Sequence, residues 1–181
     1  MGYTKRAMAL LLALAMSLCL VFSASAATSP TTAPTTVDTV APTSGTNAAT
    51  VGGEVKQVGD GSKGAFSSEI KTVTVDTSAP EVIIATNAFN GSAVKTVTVK
   101  NSGVTIQKNA FKGTKKKNPT IKISSTQKIK ASAVKFVKGS FNGLNKKAKI
   151  VVSKKSMTKK QFNKLKKNLK KKGFKGKIVR K

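Results

Sequence analysis

The chain has 181 residues, of which 39% are hydrophobic and 5% aromatic, and its formal net charge is +28. This length corresponds to about one domain. There is no His, and Cys19 is the only cysteine, which excludes His-based acid–base catalysis, the usual zinc sites and a disulfide framework. No paired-carboxylate motif and no Gly-rich phosphate loop is present. We therefore expect no catalytic residue, no metal and no cofactor, although a Ser-Lys dyad stays open because both residues are abundant.

The N-terminal segment has the pattern of a secretory signal peptide. Two basic residues, Lys5 and Arg6, precede an apolar run over residues 7–22, and small residues lead up to Ala26. The pattern predicts cleavage between Ala26 and Ala27, and therefore a secreted or surface-associated protein. An uncleaved membrane anchor is the alternative, but the run is short for a bilayer span of roughly 20 residues.

Residues 27–52 are rich in Thr, Pro, Ala and Ser and show no apolar periodicity. Such a segment buries too little apolar surface to offset the entropy of ordering it. We expect a disordered linker over this range, open to O-glycosylation, that holds the folded part away from a membrane or wall.

Four Phe-containing corners follow, with successive Phe residues 23, 22 and 30 positions apart. They are Gly64-Ala65-Phe66-Ser67, Asn87-Ala88-Phe89-Asn90-Gly91, Asn109-Ala110-Phe111-Lys112-Gly113 and Gly139-Ser140-Phe141-Asn142-Gly143. A period in the low twenties is typical of stacked repeat coils. We expect each Phe to enter the core where the chain turns, and the Gly after it to take a backbone conformation that other residues resist. The longer third spacing indicates an insertion.

An alternating β-branched segment follows each corner, at residues 71–75, 95–99, 120–123 and 149–152. The alternation predicts strands with Val and Ile on one face and Thr or Lys on the other. Stacked coils would pair these strands and join the Val and Ile rows into one core. The sequence therefore predicts a β-rich, leucine-rich-repeat-like solenoid of short coils over residues 53–155.

This layout resembles the BspA-type leucine-rich repeats of bacterial surface proteins. The segment Val104-Thr105-Ile106-Gln107-Lys108-Asn109-Ala110-Phe111-Lys112-Gly113 is similar to the first half of their consensus, and Lys95-Thr96-Val97-Thr98-Val99 to its strand. The resemblance covers roughly residues 54–153. It departs at Val94 and Asn118, where a leucine is usual, and at Ser92 and Thr114, where a cysteine is usual. It implies a secreted or cell-surface protein that takes part in attachment.

The last segment, residues 156–181, is predicted to close the repeats with a capping helix and a final strand. Ser156 is a candidate N-cap for a helix over residues 157–172, which Gly173 would end. Phe162, Leu165 and Leu169 would form a narrow apolar stripe, with lysines covering the rest of the surface. Residues 177–179 would form the final strand.

The charge is strongly asymmetric, because all six acidic residues precede residue 90 and 29 Lys or Arg follow it. An uninterrupted positive region favours an anionic partner. Outward positions on the predicted strands, together with the basic helix, give a set of candidate binding residues. They are Thr72, Thr74, Thr96, Thr98, Lys100, Thr120, Lys122, Lys149, Lys166, Lys167, Lys170, Lys171 and Lys172.

Threonines suit glycans, and lysines attract phosphate or carboxylate polymers as point charges. The leading hypothesis is a monomeric adhesion or binding protein whose partner is an anionic cell-wall polymer, an acidic glycan or a host or surface protein. Membrane contact through the C-terminal helix is a second hypothesis. Incidental nucleic-acid binding is a third, without specificity, because stacking aromatics and recognisable nucleic-acid modules are missing.

Overall fold

The computed structural model describes residues 36–181, so the predicted signal peptide and residues 27–35 of the predicted linker lie outside it. The described residues form eleven short strands, one 3-10 turn and one α-helix. The strands are β1 Thr36–Val37, β2 Ala48–Val51, β3 Gln57–Val58, β4 Thr72–Val75, β5 Glu81–Ile84, β6 Thr96–Val99, β7 Gly103–Ile106, β8 Thr120–Ile123, β9 Val134–Phe136, β10 Lys149–Val152 and β11 Lys177–Arg180. The helix, α1, spans Lys159–Lys171, and the 3-10 turn spans Ala131–Ala133.

The strands form two parallel sheets. Sheet I has the order β1-β3-β5-β7-β9, and sheet II has the order β2-β4-β6-β8-β10-β11. From β1 to β10 the chain alternates between the sheets, so each repeat contributes one strand to each of them. Only α1 separates β10 from β11, which both lie in sheet II. The prediction of a β-rich chain ending in a helix and a strand is confirmed.

Sheet II is in register from one repeat to the next, which aligns its inward side chains. Val73 pairs with Val97, Val97 with Ile121, and Ile121 with Ile150. All four are at most 1% exposed. Because side chains of a strand alternate between its faces, the same register fixes the outward rows of Thr and Lys.

The aromatic residues of the first three corners stack on one another inside the core. The ring of Phe89 lies 5.0 Å from that of Phe66 and 4.7 Å from that of Phe111, measured between centroids. The glycines that close the next two corners, Gly91 and Gly113, have φ angles of +72° and +78°. Both features agree with the predicted role of the Ala-Phe-x-Gly corner.

The insertion before the fourth corner is tied to the C-terminal segment. Ile129 N–H donates to the carbonyl of Ser156 (2.8 Å), and Ala131 N–H donates to the side-chain oxygen of Gln161 (2.9 Å). The buried Ser156 hydroxyl also donates to the carbonyl of Ser125 (2.6 Å). These bonds satisfy backbone groups that a structureless loop would leave unpaired.

The predicted disordered linker, residues 27–52, is wrong for the part that the structure describes. Residues 36–52 contain β1 and β2, and Val40, Ala49 and Val51 are buried. Ala49 and Val51 pair with Val73 and Val75 of β4, and so extend the inward rows of sheet II. The burial that orders this segment comes from the neighbouring repeat, which composition alone does not reveal.

The capping helix begins two residues later than predicted. Ser156 is not its N-cap, because this side chain is fully buried and bonded to the insertion. Thr158 takes that place, and its hydroxyl accepts from Gln161 N–H (3.4 Å). Met157, predicted as helical, lies between the preceding turn and the helix and is 0% exposed.

The helix ends as predicted at Gly173, which has a φ of +93°. Gly173 N–H donates to the carbonyl of Lys170, and Phe174 N–H donates to that of Leu169, both at 3.0 Å. This pair of bonds is a Schellman motif. Leu165 and Leu169 are buried with Phe162, so the apolar stripe of α1 packs into the core.

Candidate binding surface

The outward face of sheet II brings together the predicted strand residues in two rows. In the first row Thr72, Thr96, Thr120, Lys149 and Lys177 are successive partners across the strands. In the second row Thr74, Thr98, Lys122, Val151 and Val179 succeed one another. Parallel strands lie roughly 4.8 Å apart, so each row presents side chains at that regular spacing.

The two rows change in character along the sheet. Toward β4 and β6 they carry only threonine, whereas toward β10 and β11 they carry Lys149 and Lys177 in the first row and valine in the second. Thr74, Thr96, Thr98 and Thr120 are partly buried, and the lysines are exposed. The face therefore offers hydroxyl groups at one end and exposed positive charges at the other.

Lys100 differs from the other predicted lysines, because its charge already has a partner. Its ammonium lies 2.9 Å from the carboxylate of Asp76 in the loop after β4. The two side chains are 43% and 48% exposed, and an exposed pair of this kind contributes well under about 1 kcal/mol. Asp76 therefore holds Lys100 only weakly, and Lys100 stays a candidate contact for an anionic ligand beside Lys122 and Lys149.

The helix lysines form a separate part of the candidate surface. Lys166, Lys167, Lys170, Lys171 and Lys172 are all exposed, in agreement with the prediction that they face solvent. The helix borders a largely apolar groove of about 480 Å³ beside β9, the last strand of sheet I. Of the five helix lysines, Lys171 and Lys172 line this groove beside sheet I, whereas Lys166, Lys167 and Lys170 do not.

Two features were missed by the sequence reasoning. Lys177 continues the first row next to Lys149, and the similarity of residues 149–151 to residues 177–179 was the available signal. On sheet I, the Glu81 carboxylate accepts hydrogen bonds from the Thr105 hydroxyl and the Lys135 ammonium. These two bonds, chiefly that from Thr105, lower the pKa of Glu81 below its ordinary value.

Nothing in residues 36–181 resembles a metal centre, since no three His, Cys, Asp or Glu side chains cluster there. Within the same residues, no helix has the length and hydropathy needed to cross a bilayer. What the surface offers chemically is rows of hydroxyl groups and many exposed ammonium groups.

Comparison of the chain with family models, with curated proteins and with solved structures gave no match.

Proposed function

We propose that this chain is a leucine-rich-repeat-like solenoid of the BspA type, exported from a bacterium, that binds anionic polymers or acidic glycans at the cell surface. The lysine-rich half would carry this binding without catalysis. The observation that carries the proposal is a large positive charge on exposed side chains that have almost no acidic partner among residues 36–181.

The alternation of strands between two parallel sheets supports the solenoid part of the proposal. Successive repeats keep one register over β4, β6, β8 and β10, and the Phe side chains of the first three corners stack in line. Stacked repeats expose long regular faces, which suit extended ligands better than compact ones. A polymer that lies along sheet II would meet equivalent side chains at each step.

The charge distribution supports an anionic ligand. Among residues 36–181 two ion pairs form, Lys100 with Asp76 and Lys135 with Glu81. From Gly91 onward the chain carries 29 Lys or Arg and no acid, so most of these cations have only solvent and counterions nearby. A polyanion would release those counterions on binding, which favours association at low salt.

Lysine predominates over arginine in this region, where Arg180 is the single guanidinium. Ammonium groups act as mobile point charges and lack the fixed fork that reads planar anions. The expected recognition is therefore of charge density and spacing, with the threonine rows adding hydrogen bonds to sugar hydroxyls.

Membrane action by the helix fits the packing less well. Phe162, Leu165 and Leu169 are at most 9% exposed, so α1 would have to leave the core before its apolar side could enter a bilayer. Polymer binding needs no such rearrangement.

The test is a binding screen of the secreted protein against immobilised wall polymers, acidic glycans and neutral glycans of matched length. Binding to the anionic members that declines steeply with salt is expected. Equal binding to neutral and anionic members, at all salt concentrations, would contradict the proposal and favour the threonine rows as a specific glycan site.

A further inference from the structure

The backbone of the Phe corners forms a directional hydrogen-bond ladder along the protein. Asn87 N–H donates to the carbonyl of Asn109 (3.2 Å), and Asn109 N–H donates in turn to the carbonyl of Gly139 (3.1 Å). Each corner thus donates toward the C-terminal end. Phe89 N–H and Gly91 N–H donate in the same direction, to the carbonyls of Ala110 (2.9 Å) and Gly113 (3.0 Å).

The ladder stops at the fourth corner, Gly139–Gly143. Between the third and fourth corners the ladder has one backbone bond, from Asn109 N–H to the Gly139 carbonyl. It also has one side-chain bond, in which the Asn142 amide N–H donates to the side-chain oxygen of Asn109 (2.7 Å). Within residues 36–181, the N–H groups of Gly139, Phe141 and Gly143 donate to no acceptor, and neither do those of Phe111 and Gly113 in the third corner. Phe141 is 8% exposed, Gly139 is half-buried and Gly143 is exposed, so of the three donors the N–H of Phe141 belongs to the most buried residue.

The place of a next corner is taken by the turn after α1. Phe174 of this turn continues the aromatic packing, with its ring centroid 4.8 Å from that of Phe141. The turn does not bring carbonyl groups to the three unpaired donors. A cavity of about 460 Å³ remains between the turn and the fourth corner, and Gly139, Phe141 and Gly143 all line it.

The charged groups around this cavity are all positive. Lys138, Lys172 and Lys175 line it, together with the side chains of Asn142 and Asn145, and no acidic residue does. The C-terminal end of α1 contributes about half a negative charge nearby. Three ammonium groups outweigh that contribution, and the Schellman bonds already occupy the carbonyls of Leu169 and Lys170.

The backbone of the corner leaves alternate N–H groups free. Gly139 and Gly143 have φ angles of +83° and +92°, and the N–H groups of Ser140 and Asn142, which lie between the three donors, donate within the corner to the carbonyls of Val137 and Gly139. Several N–H donors and three ammonium groups match the oxygens of a phosphate group better than the two oxygens of a carboxylate.

We propose that the cavity between the fourth corner and the turn after α1 binds a single phosphate group. The N–H groups of Gly139, Phe141 and Gly143 donate to its oxygens, and Lys138, Lys172 and Lys175 neutralise its charge. If the ligand is a phosphodiester of a wall polymer, this inference rests on the proposed function. If the ligand is free phosphate, the inference is independent of it.

The experiment titrates the secreted protein with inorganic phosphate at constant ionic strength and follows backbone amide resonances by NMR. Saturable shifts of the Gly139, Phe141 and Gly143 amide protons are expected. The variant K138Q/K172Q/K175Q should bind phosphate roughly tenfold more weakly or worse, since charge-assisted bonds are lost. The control K159Q/K160Q/K164Q removes the same charge from exposed positions on the first half of α1 and should stay within about twofold of the wild type.

Equal weakening of phosphate binding in both variants, or shifts that never saturate, would contradict the phosphate site and indicate bulk electrostatic attraction.

A parallel titration with poly(glycerol phosphate) separates the two sources of phosphate. If the polymer moves the same three amides, the ligand is a phosphodiester; if only inorganic phosphate does, it is the free ion. Salt-sensitive binding of the polymer without these shifts would contradict the phosphate site and leave the proposed function standing. Saturable shifts with phosphate, in a protein that binds no anionic polymer, would support the phosphate site and contradict the proposed function.

Discussion

The rings of Phe89 and Phe111 lie parallel to within 2°, with their centroids 4.7 Å apart. Each side chain is 1% exposed, and each belongs to the same position of successive repeats. The contact therefore joins two repeats through their most voluminous buried groups. Aromatic pairs of this kind contribute about 0.5–1.5 kcal/mol beyond the burial of their area.

Truncation of either ring should destabilise the protein strongly. Phe89→Ala and Phe111→Ala are each expected to lower the free energy of unfolding by about 3–5 kcal/mol, because a cavity forms in a packed core. Urea denaturation followed by circular dichroism measures this. Val137→Ala is the control, since Val137 is 41% exposed and its truncation should change stability by less than about 0.5 kcal/mol. Losses under about 1 kcal/mol at both Phe positions would argue against a shared core.

The strands of the central repeats were predictable because their alternation is repeated. Residues 71–75 and 95–99 share the letters KTVTV, and the period of two fixes which side chains face the core. Residues 48–51 read AATV, too short and too polar to predict a strand alone. These residues are buried because they pair with β4, and β4 is in turn held by β6. Residues 48–51 are therefore ordered by contacts with the neighbouring repeat and not by their own sequence.

On the surface too, features that follow from local alternation were predicted, and features that need contacts between distant parts of the chain were not. The threonine rows follow from alternation within single strands, so the sequence located them correctly. The cavity at the fourth corner requires the turn at residues 172–175 to return against Gly139–Gly143, about thirty positions earlier in the chain. Local periodicity carries no information about such a contact.

The start of α1 gives a second test of the packing. Thr158→Ala should cost about 1 kcal/mol, since Gln161 N–H loses its acceptor, and Thr158→Ser should cost little because the hydroxyl remains. At Ser156, by contrast, exchanging one hydroxyl residue for the other should be costly. Ser156→Thr should destabilise by about 1–3 kcal/mol, because an extra methyl group must enter a fully buried site. Chemical denaturation of the three variants measures these effects, and a neutral Ser156→Thr would show that the site is loosely packed.

Acid should weaken the contribution of Glu81. Its pKa is lowered in the folded protein by hydrogen bonds from Thr105 and then Lys135. A carboxylate with a depressed folded pKa stabilises the protein above its unfolded pKa, and this contribution disappears as the pH falls through the folded pKa. The difference in unfolding free energy between wild type and Glu81→Gln should therefore be fully present at pH 7 and shrink below about pH 4.3, the ordinary value for Glu.

Urea titrations at several pH values measure this difference. Glu69→Gln is the matched control, because the exposed Glu69 side chain accepts no hydrogen bond in the part of the chain that the structure describes. It replaces one surface carboxylate without removing any hydrogen bond. A Glu81→Gln effect that is constant from pH 7 to pH 3 would show that the bonds from Thr105 and Lys135 do not stabilise the charged form.

The helix lysines should contribute to polymer binding through charge alone. Replacing Lys166, Lys167, Lys170, Lys171 and Lys172 with Gln removes five exposed charges, so affinity for an anionic wall polymer should fall most at low salt. The slope of log affinity against log salt should become shallower, by up to about one for each lysine that contacts the polymer. Thermal unfolding of the variant should remain close to that of wild type, because none of these side chains is buried.

The corresponding five-arginine variant is the control, because it keeps the charge and changes only the shape of the donor. It should retain the salt slope of the wild type. Binding measured by sedimentation with purified walls across a salt series distinguishes the variants. Unchanged affinity in the five-glutamine variant would contradict a role for α1 and make Lys122, Lys149 and Lys177 of sheet II the next cationic contacts to test. Equal loss in the glutamine and arginine variants would show that the shape of lysine matters, which point-charge attraction does not predict.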